Sequence, residues 1–71
     1  MAGLVKRSFS LAGHRTSVAL EAEFWAVLIA IAEPRPLSAL VAELDAARAP
    51  GQPLASTLRL HALRHRPGST D

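Results

Sequence analysis

Two stretches near the start of the chain alternate polar and apolar residues. Arg7 to Leu11 reads Arg-Ser-Phe-Ser-Leu. From His14 to Leu20, Arg15, Ser17 and Ala19 alternate with Thr16, Val18 and Leu20. A period of two places successive side chains on opposite faces of a strand. The second stretch therefore predicts a half-buried strand, with Val18 and Leu20 inward and Arg15 and Ser17 outward. Ala12-Gly13 offers a turn between the two, because glycine takes positive φ freely. Two arrangements satisfy this pattern. Either the segments close into a hairpin around Ala12-Gly13, or the second alone is ordered and pairs with another chain.

At Leu20-Glu21-Ala22-Glu23 the period changes. Phe24, Trp25, Val27, Leu28, Ile29 and Ile31 predict a first helix ending near Ala32. Glu21 and Glu23 then sit at the positive end of its dipole. Those apolar residues cover more than one stripe, so the helix is expected to be buried on most sides. A chain of 71 residues has little material for that, and a second copy is the expected cover. Glu33-Pro34-Arg35-Pro36 stops the helix, since each proline lacks an amide donor and restricts the residue before it. Ser38 is the expected N-cap of a second helix, Ala39 to about Ala47, with Leu37, Leu40, Val41 and Leu44 as its apolar stripe. Ala49-Pro50-Gly51-Gln52-Pro53 is a second break. A third helix follows from about Leu54 to His65, and Pro67-Gly68 ends it. The expected organisation is a flexible N-terminus at 1–5, one domain at 6–66 and a flexible tail at 67–71.

Composition removes several function classes. Hydrophobic residues make up 49% of the chain, too many for a disordered segment. There is no cysteine, which excludes disulfides and thiolate metal sites. His61 and His65 are four apart and share a helix face, yet zinc asks for three or four ligands. Neither a metal nor a cofactor is expected. The longest apolar run, Phe24 to Ala32, is nine residues, against about twenty for a membrane span. A cytoplasmic protein without a membrane partner is expected. No Gly-rich phosphate loop and no Gly-x-Ser-x-Gly motif occurs, so the reading is not an enzyme and has no small-molecule substrate.

The charges are segregated. Lys6, Arg7 and Arg15 give residues 1–20 a charge of +3. Glu21, Glu23, Glu33, Glu43 and Asp45 outweigh Arg35 in residues 21–47, for −4. Arg48, Arg59, Arg64 and Arg66 give residues 48–66 a charge of +4, and Asp71 brings the net to +2. Two basic ends point to a polyanion. A two-stranded ribbon is narrow enough for the DNA major groove, where arginine can present paired donors to guanine. Lys6, Arg7, His14, Arg15 and Ser17 are the candidate DNA contacts on this basis. Ser38 joins them, because free amides at a helix start hold phosphate. Val18, Leu20, Phe24, Trp25, Leu28, Leu40 and Leu44 are the candidate dimer core.

Residues 6–21, with Gly13-His14-Arg15-Thr16-Ser17-Val18 at their centre and Leu20-Glu21 at their end, resemble the opening of a bacterial ribbon-helix-helix domain family. Glu23-Phe24-Trp25, Leu37-Ser38-Ala39-Leu40, Glu43 to Arg48 and Leu58-Arg59-Leu60 continue the likeness, which spans about residues 6–64. The resemblance implies a mainly α fold with one short N-terminal β element. It implies an intertwined homodimer whose antiparallel β-ribbon is formed between subunits. Its implied function is sequence-specific binding of double-stranded DNA, with repression of transcription. The alternative is a protein-interaction module, antitoxin-like or adaptor, that binds a partner protein through the third helix.

Overall fold

The computed structural model describes residues 3–67. Two strands, β1 (Leu4–Leu11) and β2 (His14–Glu21), are followed by three helices, α1 (Ala22–Ala32), α2 (Leu37–Ala47) and α3 (Leu54–Arg64). The strands pair antiparallel within the one chain, from Leu4 opposite Glu21 to Leu11 opposite His14. Of the two arrangements open to the alternating segments, the hairpin is the one found. The N-terminal β element expected of a ribbon-helix-helix fold is present as this hairpin. The turn explains why. Ala12 and Gly13 have φ of 51° and 82°, the pair of positive values that joins right-twisted strands through two residues.

β1 begins at Leu4, inside the stretch expected to be flexible. Trp25 supplies the anchor: its indole Nε1–H donates to the Val5 carbonyl at 2.7 Å. The proposed tail at 67–71 lies outside the described residues except for Pro67.

The two faces of the hairpin differ as the alternation requires. Phe9 and Leu11 of β1 and Val18 and Leu20 of β2 are buried. The helices pack on that side, α1 and α3 on β2 and α2 on β1. Trp25, Leu28 and Ala32 of α1, Leu40 and Val41 of α2, and Leu58 and Ala62 of α3 complete the core. A fully buried leucine contributes roughly 1.5–3 kcal/mol, and Leu20, Leu28 and Leu58 are all fully buried. Phe9 and Trp25 meet with ring centroids 5.9 Å apart, within the range of a favourable tilted aromatic pair.

Within the single chain, α1 is covered in part. The hairpin, α2 and α3 together bury Trp25, Leu28 and Ala32 and half-cover Phe24, Val27 and Ile31. Val18, Leu20, Trp25, Leu28 and Leu40, assigned above to a dimer core, are core residues of the single chain. Phe24 and Leu44 are partly buried against it. What stays open on α1 is Ala22, Glu23, Ala26, Ile29 and Ala30.

The connections are short and tied. Glu33 closes α1 by donating to the Ile29 carbonyl at 3.2 Å, and Arg35 forms an ion pair with Glu43 that straps the turn to α2. Arg48 bonds Asp45 and the Gln52 carbonyl, which holds the second turn. Pro36 and Pro53 are the N-caps of α2 and α3. Ser38 is therefore the second residue of α2 and not its cap. A proline with extended ψ has already turned the chain into the helix direction, so α2 starts two residues before its expected Ala39.

Candidate nucleic-acid interface

Register decides which side chains share the outer face. Ser10 lies opposite Arg15, Ser8 opposite Ser17 and Lys6 opposite Ala19. These positions alternate with the buried Phe9, Leu11, Val18 and Leu20, so they point away from the helices. The Ser8 and Ser17 hydroxyls hydrogen bond across the strands at 3.0 Å. Lys6, Ser8, Ser10, Arg15 and Ser17 are all exposed. The face is narrow, polar and positive, with no acid from Lys6 to Ala19. Arg15 and Ser17 are about 6.8 Å apart along the strand, roughly two base-pair steps of 3.4 Å.

The carboxylate at the base of the ribbon is turned to α3. Glu21 is the N-cap of α1 without a side-chain cap bond. It receives the Arg59 Nε–H at 3.2 Å. A hydrogen bond from its own backbone, then Arg59, outweighs burial and holds its carboxyl below the ordinary value. Arg59 also stands 5.8 Å from the Phe24 ring centroid. The pair neutralises the acid nearest the basic face, so the positive potential there is undiminished.

Of the six residues singled out from sequence, Lys6, Arg15 and Ser17 come together on this face. Arg7 does not. It is on the helix side of β1, with its guanidinium 5.6 Å from the Trp25 ring centroid. His14 is exposed and directly follows the turn, opposite Leu11. Ser38 sits in the first turn of α2, exposed. Sequence reasoning missed Ser8 and Ser10. Their signal was present: both alternate with Phe9 and Leu11, and a hairpin closed at Ala12-Gly13 puts Ser8 opposite Ser17.

A two-stranded ribbon with three helices on one face and a bare basic strip on the other fits a known architecture. Residues 4–66 match the ribbon-helix-helix domain family. This chain is a ribbon-helix-helix protein. Proteins of this family are generally DNA-binding regulators. No curated protein matches the chain, and no solved structure does. The ribbon-helix-helix domain here opens with a hairpin, and a third helix follows the pair that gives the fold its name.

Two further features lie among the helices. Arg48, His61, Arg64 and His65 line a cleft of about 370 Å³ between α2 and α3. The His61 and His65 ring centroids lie 4.4 Å apart, with the planes tilted by 37°. Burial, then the neighbouring His65, lowers the His61 pKa. On the other side of α3, Glu23, Phe24 and Val27 of α1 face Ala62, Leu63 and Arg66 across an apolar groove of about 160 Å³.

Proposed function

We propose that this ribbon-helix-helix protein binds double-stranded DNA in a sequence-specific manner, lays the outer face of its hairpin in the major groove, and represses transcription as a homodimer. The observation that carries the reading is the shared outer face of Lys6, Ser8, Ser10, Arg15 and Ser17. Arg15 has the reach and the paired donors to read the acceptors of guanine. Ser17 and Ser8, already bonded to each other, keep spare donor and acceptor capacity for base edges. Lys6 serves phosphate or base at the far end of the strip. His14 beside the turn and the amides at the start of α2 near Ser38 are placed in the proposal as phosphate contacts. Arg7 contributes long-range charge and holds the ribbon over Trp25.

Each chain carries a two-stranded hairpin, so each subunit of a homodimer would bring a ribbon to the groove. Two half-sites on one face of B-DNA are about one helical turn apart.

Selection from a random duplex pool tests this. Wild-type protein is expected to enrich a motif containing guanine. Binding to that motif should fall steeply with salt. Arg15→Ala should cost about 1–3 kcal/mol and relax preference at one position. A folded protein that enriches no motif, or an Arg15→Ala variant with undiminished affinity and preference, overturns the proposal.

A further inference from the structure

We propose that the cleft between the end of α2 and α3 binds a small aromatic carboxylate, with its charge on Arg48 and Arg64 and its ring against Leu60, His61 and His65. The outer face of the ribbon takes no part in this, because α2 and α3 pack on the opposite side of the strands.

The hollow exists because small residues border it. Ala47 ends α2 and Ala49 follows in the connection, and a methyl group is too short to fill the gap to α3. The space left is about 370 Å³, within the roughly 300–1,000 Å³ of small-molecule sites. Leu44 and Leu60 give it an apolar wall. Among the described residues Leu60 is one of the large apolar side chains left exposed, at 38%. The His61 and His65 rings are tilted by 37° to each other, so a planar ring between them and Leu60 meets an edge and a face, the geometries that aromatic pairs favour.

The charge of the ligand follows from the rest of the lining. Arg48, from the end of α2, and His61, Arg64 and His65, from α3, are the titratable groups that face the hollow, and no acid is among them. Asp45 holds Arg48 Nε at 2.9 Å and the Gln52 carbonyl holds its Nη1 at 2.6 Å, which leaves Nη2 as an oriented donor. Arg64 forms no ion pair among the described residues. An arginine near each helix end complements the dipoles, but that alone requires no open space between them with two imidazoles along its wall. Guanidinium donors match a carboxylate in shape and charge. The His61 pKa is lowered by burial and then by His65, so an anion beside it draws a proton onto the ring.

Calorimetric titration of the full chain without DNA tests the proposal, with benzoate and cinnamate as probes. Saturable binding of one probe per chain is expected, at least tenfold tighter than binding of benzamide, cinnamamide or inorganic phosphate. Arg64→Ala should weaken it at least tenfold, and Ala47→Trp should abolish it by filling the hollow. Both positions are exposed, so the far-UV spectrum should stay unchanged. Affinity should rise as pH falls from about 7.5 to about 6, and His61→Gln should flatten that rise. No saturable binding of either carboxylate, equal binding of the amides or of phosphate, or indifference to either substitution overturns the proposal, as does an affinity independent of pH. Arg15→Ala should bind the probes as the wild type does while losing DNA, so failure of this site and failure of the DNA reading give different results.

Discussion

Trp25 links the core to the ribbon, and Trp25→Phe measures that link. The indole is 2% exposed, donates to the Val5 carbonyl at 2.7 Å, and meets the Phe9 ring at 5.9 Å. Phenylalanine keeps an aromatic contact and loses the hydrogen bond, worth about 0.5–1.5 kcal/mol. Val5 is 41% exposed, so water reaches its carbonyl and the lower half of that range applies. The two ring carbons lost add about 0.8 kcal/mol each. The total is about 2–3 kcal/mol, which for a domain of this size lowers Tm by roughly 10–20 °C. Unfolding should be followed by far-UV circular dichroism, since Trp25 is the one tryptophan. Protein concentration must be held fixed because assembly adds to stability. Amide exchange should accelerate at residues 4–7 more than near the turn, as the anchor is at that end. A cost below about 0.5 kcal/mol, or exchange that accelerates evenly along the ribbon, would refute the assignment of Trp25 as the ribbon's anchor.

Three further outcomes are expected. Ala12→Asn should raise stability by about 0.5–1 kcal/mol, because Ala12 holds a φ of 51° that asparagine tolerates at lower cost; urea denaturation measures it. The Glu21 carboxyl is held below its ordinary 4.5, so its contribution is full above that value and is lost as pH falls through the folded value; Glu21→Gln should flatten the acid limb of Tm against pH. The His61 imidazole is lowered from 6.5, so the folded state loses stability as pH drops from that value through the folded one. His61→Gln should reduce the slope in that window, read from denaturation midpoints at several pH values.

The helices were legible because their apolar positions recur at helical spacing and prolines punctuate them. Leu37, Leu40, Val41 and Leu44 marked α2, although Ser38 looked like a better cap than Pro36. The outer face of β2 was legible from the alternation of Arg15 and Ser17 with Val18 and Leu20. β1 was less so. Its start at Leu4 depends on a hydrogen bond from Trp25, twenty residues on, and no local pattern announces a contact of that range. The same applies to Arg7, whose place over Trp25 follows from register. Glu21 read as a helix-start acid, and its pairing with Arg59 depends on how α3 packs against β2. The share of α1 that α3 covers was not legible, because it depends on how the third helix packs and not on any local pattern.

Chemical-shift mapping of the labelled protein titrated with its selected duplex tests the central claim most directly. Backbone amides of Lys6, Ser8, Ser10, Arg15 and Ser17 should move together and most, with Phe9 and Val18 moving little and α3 unaffected beyond Arg59. Perturbations that gather on α1 and α3, or that spread without favouring the outer face of the ribbon, would contradict it.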